Sequence, residues 1–299
     1  MPPSFQCTRR EAMAAGFVSA CGTLVSSGTA SSGQRQQFRI CAFEKFLQDL
    51  SYDELADVIA ELGFVGIEAT VRKKGHVLPE RVEEDLPKLV EALKKRNLEV
   101  TVMASDVVNA ADPLHQRVLR TAAALGIKRY RMGYYRYDLK KPVLPQLDEI
   151  RAPLNELAAF NKELGIAAVY QNHAAATFVG ATLWDIAGLL QKIPKEQIGL
   201  AFDIRHATAE SGLSWPTLYN VVKPHIAALY VKDFVWAESR PQNVPLGEGR
   251  VDPKFFRMIK ADGFDGPISL HVEYLDKEGT KANIDALRRD LKTLEGWLN

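Results

Sequence analysis

Four short apolar runs in this chain end in groups able to move protons or hold charge. Ala167-Ala-Val-Tyr170 leads into Gln171, Asn172 and His173, and Ile198-Gly-Leu-Ala-Phe202 into Asp203 and, three residues on, His206. Ala228-Leu-Tyr-Val231 leads into Lys232 and Asp233, and Ile268-Ser-Leu-His-Val272 into Glu273. Carboxylates, imidazoles and an ammonium group suit general acid–base chemistry, in which a base takes a proton, an acid returns it, and a positive group steadies developing negative charge. Earlier in the chain Glu44, Glu68, Asp106 and Arg131 stand at the ends of similar runs. A solvated loop explains any one of these residues; a shared rim explains the set.

The elements that must bring them together are legible in the periodicity. Strand-like runs fall near 39–43, 65–69, 98–103, 128–132, 166–170, 198–203, 226–231 and 267–272, with segments of helical period between them. Ser51-Tyr-Asp-Glu54 is a capping box opening a helix whose Leu55, Val58, Ile59 and Leu62 share a face. A final helix repeats that spacing with Ile284, Leu287, Leu291 and Leu294. Leu-Gly-Phe or Leu-Gly-Ile at 62, 125 and 164 marks helix ends that lead into strands. Regular β-then-α alternation calls for parallel strands joined by right-handed crossovers, and eight units close a (β/α)8 TIM barrel spanning 38–299. An open doubly wound sheet is the alternative. No Gly-x-Gly-x-x-Gly follows the first strand, so neither a dinucleotide fold nor a nucleotide cofactor is expected. In a barrel the site lies at the carboxyl ends of the strands, where the residues above stand.

Composition narrows the partners. With 46% hydrophobic and 25% charged residues the 299-residue chain can build a sizeable core. Its 38 Lys and Arg against 37 Asp and Glu give no electrostatic support for a nucleic-acid partner. Thr8-Arg-Arg-Glu-Ala-Met13, an apolar stretch from Ala14 to Val25 and a Ser/Gly-rich segment resemble a twin-arginine export signal over 1–30, followed by a linker at 31–37. The expected location is therefore periplasmic or secreted. Val18-Ser-Ala-Cys21 offers a competing reading in which Cys21 is lipidated. No other apolar run has the length of a membrane span. Cys7 and Cys21 fall in the signal, which leaves Cys41 as a buried hydrophobe without a disulfide partner.

Gln171-Asn-His173, Phe202-Asp-Ile-Arg-His206, Val231-Lys-Asp233, Pro245-Leu-Gly-Glu-Gly-Arg-Val-Asp252 and Ser269-Leu-His-Val-Glu273 together resemble the sugar phosphate isomerase/epimerase family, the xylose-isomerase-like barrels. The resemblance covers the chain from about residue 38 onward. It implies a sugar isomerase or epimerase and a divalent ion (Mn, Mg, Co or Zn) held by Glu, Asp, His and Glu after or in strands five to eight. Carried over, the Asp is Asp203 and the last Glu is Glu273, while Gln171 stands for Glu and Tyr230 for His. Asp203, Glu273 and Gln171 are thus the metal candidates, with half the usual set altered.

Gln171 cannot act as a base, so the expected scheme uses Glu273 as base, His173 or His206 as acid and Lys232 beside the oxyanion. Without a metal, Asp203 and Glu273 would face each other unscreened and one pKa would rise. Glu68, Arg131, Gln171, Asn172, Trp236 and Arg250 are the substrate-binding candidates. The Leu246-Gly-Glu-Gly-Arg250 loop lies where barrels often hold phosphate. Milder readings run beside these: His206 as a hydrogen-bond partner of Asp203, and Lys232 with Asp233 as a structural ion pair. The substrate expected of an exported member is a small carbohydrate, and a homo-oligomer fits the same reading. The alternatives are a lyase or hydrolase of keto-glycosides, and a sugar-binding barrel without catalysis.

Overall fold

The computed structural model describes residues 38–299; the expected export signal over 1–30, Cys21 and the expected linker at 31–37 lie outside the described residues. Eight parallel strands close into a barrel: β1 (Ile40–Phe43), β2 (Gly66–Val71), β3 (Glu99–Ser105), β4 (Arg129–Arg131), β5 (Ala167–Gln171), β6 (Ile198–Asp203), β7 (Ile226–Val231) and β10 (Ile268–Leu270). Closure comes from β1 pairing with β10, Ile40 opposite Ile268 and Ala42 opposite Leu270. That pairing removes the open-sheet alternative. A two-stranded antiparallel hairpin, β8 (Asp233–Ala237) with β9 (Arg240–Val244), rises directly from the end of β7.

Helices between the strands bury one stripe each against the barrel. In α1 (Tyr52–Leu62) the capping box forms as the sequence predicts: the Ser51 hydroxyl accepts from the Glu54 N–H, and the Glu54 carboxylate accepts from the Ser51 N–H at 2.8 Å. Gly63, Gly126 and Gly165 end their helices with φ of +86°, +85° and +65°, a left-handed turn that L side chains rarely adopt. The last helix, α2 (Gly279–Leu298), buries Leu287, Leu291 and Leu294.

Strand alternation sorts the residues into two layers. Val102, Val169, Ala201, Ala228 and Tyr230 form a small apolar group apart from the main core. Gln171, Asp203 and Lys232 lie two residues beyond Val169, Ala201 and Tyr230, on the same strand face. The barrel interior is therefore plugged by apolar side chains below and lined by polar ones above.

Candidate active site

A cavity of about 580 Å³ opens at the carboxyl end of the barrel, and His173, His206, Lys232, Glu273, Lys45 and Trp236 are among the residues lining it. Hollows at the opposite end, around Lys128, Arg129 and Lys195, contain none of these groups. Lys232 is buried at the centre. Its Nζ lies 2.6 Å from Glu273 Oε2 and 3.4 Å from Asp203 Oδ2. Burial alone would drive the proton off, but the Glu273 and Asp203 charges outweigh it and raise the lysine pKa, so the group is an ammonium. The expected repulsion between the two carboxylates is thus replaced by attraction to a cation between them. Burial favours the neutral form of Glu273, yet Lys232, then His271 and Lys45, hold its pKa well below the usual carboxylate range. Lys45 reaches the other Glu273 oxygen at 3.1 Å.

Lys232 makes no ion pair with Asp233. Asp233 instead turns outward and accepts four backbone N–H groups: Phe234 (2.8 Å) and Val251 (2.9 Å) on Oδ1, Gly247 (3.1 Å) and Gly249 (3.0 Å) on Oδ2. The glycine loop therefore spends its amides on this carboxylate, and the phosphate position read from the sequence is already filled by the protein. A Cβ on Gly249 would lie 2.2 Å from Asp233 Oδ1, so the carboxylate and the glycine require one another. Arg250 donates its backbone N–H to Phe234 at 2.9 Å, while its side chain is exposed and outside the cavity lining.

The residues at the ends of β5 and β6 form a second layer. Gln171 Oε1 accepts from Arg131 Nη1 at 2.6 Å and from Tyr134 OH at 2.5 Å, while Gln171 Nε2 donates to Asp203 Oδ2 at 2.7 Å. Both neighbours fix the amide orientation, because a flip would point donors at donors and oxygen at carboxylate. Asp203 Oδ1 also accepts the His206 N–H at 3.0 Å. Asn172 exchanges two hydrogen bonds with the Asp203 backbone, which staples the two strand ends together. Glu68 is buried below, bound by Ser269 (2.7 Å), His271 Nε2 (2.8 Å) and, at 3.4 Å, Arg131 Nε. Its burial opposes ionisation, but His271 and Arg131 hold its pKa down at about 2. Glu44 and Asp106 serve the loops instead, Glu44 on Thr70 and His76 and Asp106 on the Lys73 N–H.

The two histidines differ. His206 Nδ1 faces the Ala174 N–H at 3.1 Å and Arg205 Nη1 at 3.0 Å. Since a guanidinium only donates, that nitrogen must carry the lone pair, and His206 is the neutral Nε2–H tautomer with Nε2 3.5 Å from Asp203 Oδ2. Burial first, then Lys232, His173 and Arg205, keeps its pKa well below the ordinary histidine value. The expected role of His206 as an acid has no imidazolium to supply it. His173 Nδ1 lies 2.9 Å from the Ala174 carbonyl and so carries the hydrogen, which leaves Nε2 as its lone-pair nitrogen. Burial and Lys232 lower its pKa too. The His173 ring is stacked on Phe178 at 4.4 Å, tilted against His206 at 4.1 Å and edged by Tyr134 at 5.3 Å.

Sequence reasoning missed Lys45, Arg205 and the hairpin. Arg205 binds Asn243 Oδ1 (2.9 Å) and the Pro241 carbonyl (3.1 Å), and Asn243 Nδ2 binds the Glu273 carbonyl (3.1 Å). The hairpin is thereby tied to both sides of the site and carries Trp236 to its edge.

A family model for xylose isomerase-like TIM barrels matches residues 56–292, most of the closed barrel. The chain belongs to that family. No curated protein matches it in sequence. Among solved structures, 3-keto-D-glucoside 4-epimerase from E. coli shares the fold with TM-score 0.66 and 16% identity, over 87% of this chain and 100% of that one. D-allulose 3-epimerase from Methylomonas sp. gives 0.65 and 16%, over 88% and 99%. A xylose isomerase-like barrel from Mycobacterium smegmatis, solved with magnesium, gives 15% identity over 88% and 98%. Among the described residues of this chain, no three His, Cys, Asp or Glu side chains gather as a metal shell. The donors at the family's metal position do not fit such an ion: Gln171 turns its NH2 toward Asp203, and Lys232 holds both carboxylates.

Proposed function

We propose that this barrel is a carbohydrate isomerase or epimerase that removes a proton from the carbon beside a sugar carbonyl. The observation that carries the reading is the buried Lys232 ammonium, fixed between Asp203 and Glu273 in the cavity lining. Two of its three N–H groups face those carboxylates, and the third is left for a substrate oxygen. As charge develops on that oxygen in the enediolate, the preorganised ammonium stabilises it without reorganisation. The two carboxylates that hold Lys232 as an ammonium favour an electrostatic role over that of an amine nucleophile.

The base in this reading is His173 in place of Glu273. A carboxylate held by two ammonium groups is weakly basic, whereas a neutral imidazole is closer to the pKa that favours proton transfer at neutral pH. His173 Nε2 takes the proton and, as imidazolium, returns it to the neighbouring carbon while the enediolate hydroxyl proton passes to the oxygen of the original carbonyl, a single-base transfer that gives isomerisation. Glu273 and Asp203 hold Lys232; Gln171, Arg131 and Glu68 hold Asp203 and the layer beneath. The solved relatives that act on 3-keto-glucosides and allulose support a keto-sugar as the substrate class. Incubation of ketoses and 3-keto-glycosides in heavy water tests the reading by NMR. The expected result is deuterium at the carbon next to the carbonyl, lost in His173→Gln. Turnover without exchange would instead indicate hydrolysis, and no turnover with retained sugar binding would indicate a non-catalytic barrel.

A further inference from the structure

We infer that the Lys232 ammonium takes the place of the divalent cation in this barrel, so that the site excludes such ions and polarises a single substrate oxygen through one N–H. Three independent features of the geometry point the same way. First, the ammonium lies within 3.4 Å of both Asp203 and Glu273, the two carboxylates that the family's metal position retains here. Second, the position occupied by Glu in the family is Gln171, whose oxygen is consumed by Arg131 and Tyr134 and whose NH2 faces Asp203. A cation arriving there would meet a donor, and rotating the amide would break three hydrogen bonds. Third, the family's histidine position is Tyr230, whose ring packs against His271 at 4.7 Å among the apolar interior residues. An oxygen-seeking ion needs several free carboxylate or carbonyl ligands, and none of these groups has that freedom.

The substitution changes what the site can grip. A divalent ion chelates two vicinal oxygens at once, whereas one remaining N–H binds one, so the adjacent hydroxyl must be held by other groups. Lys45 and Asn243 also line the cavity near Glu273 and are the available partners for it.

The test is titration calorimetry with Mn2+ on the full chain, which needs no turnover and so stands apart from the reaction proposed above. The native protein is expected to show no saturable Mn2+ binding and to keep its sugar-exchange activity after dialysis against a chelator. The double change Lys232→Met with Gln171→Glu removes the ammonium between Asp203 and Glu273 and adds a third carboxylate, and should bind Mn2+ at least about 100-fold more tightly. Stoichiometric Mn2+ uptake by the native protein, or activity abolished by the chelator and restored by Mn2+, would overturn the inference. So would a folded double variant, verified by circular dichroism, with no gain in affinity. Lys232→Arg, which keeps the charge, should remain Mn2+-free; uptake by that variant would also count against it.

Discussion

Asp233→Asn is the substitution whose cost can be read most directly from the structure. The native carboxylate receives two N–H groups on each oxygen, four in all, from Phe234, Val251, Gly247 and Gly249. An amide has one oxygen, so two of the four donors lose their acceptor and meet an NH2 group instead. A hydrogen bond to a charged partner contributes about 1.5–3 kcal/mol net, so the loss is about 3–6 kcal/mol. The lower end applies if the half-exposed loop relaxes to let water in. At about 2 °C per kcal/mol for a domain of this size, the melting temperature should fall by about 6–12 °C. Differential scanning calorimetry measures the global shift, and limited proteolysis between residues 238 and 250 reports the loop. Asp233→Ala should be at least as damaging, and Gly249→Ala should resemble it because its Cβ would strike the same oxygen. If Asp233→Asn melts within a degree of the native protein, the carboxylate is not what organises the glycine loop.

Other expectations concern the site itself. Lys232→Met should lower turnover by about 10²- to 10³-fold, the loss typical of one oxyanion donor, as read by single-turnover assays. It should also destabilise by about 3–5 kcal/mol at neutral pH, because Asp203 and Glu273 lose their shared cation. In the native protein the depressed Glu273 pKa contributes stability above the unfolded value of about 4.3, lost as pH falls through the native one. With Lys232 gone, only His271 and Lys45 oppose the burial of that carboxyl and its pKa moves up from the native position, so denaturant titrations should find the variant's deficit shrinking on acidification. A deficit that grew on acidification would contradict the assigned charges. The proposed proton transfer needs neutral His173, whose pKa is lowered, so the acid limb of the kcat profile should have its midpoint below pH 6.5. An unchanged acid limb in His173→Gln would remove it as the base. Arg205→Gln removes one of the two donors to His206 Nδ1 and leaves the Ala174 N–H, so nitrogen-15 NMR of the imidazole should still find the single Nε2–H form.

Most of the barrel strands were legible because they are short, buried, apolar runs, β4 with its Arg129-Tyr-Arg131 being the exception. The runs near 166–170 and 198–203 became β5 (Ala167–Gln171) and β6 (Ile198–Asp203) almost residue for residue. The hairpin was illegible for the opposite reason. Its second strand, Arg240-Pro-Gln-Asn-Val244, is polar and contains proline, and it is held by Arg205 rather than by burial. At the site, strand alternation delivers polar groups to one rim, but pairing depends on reach across the barrel. Neighbouring Lys232 and Asp233 look like partners in sequence, yet adjacent strand residues point to opposite faces. Lys232 therefore meets Glu273, 41 residues away, and Asp233 meets the glycine loop. Lys45 was invisible for the same reason: its partner lies 228 residues further along the chain.

The packing of His173 has a consequence for how a substrate would be met. With Phe178 on one side, His206 against another and Tyr134 at its edge, the ring is packed against three neighbours. Such a side chain gives up its conformational freedom when the chain folds, not when a ligand arrives, so that ordering cost is absent from the encounter. A structure with a sugar bound should superpose on the free one at this imidazole, with any adjustment confined to the outer edge around Trp236.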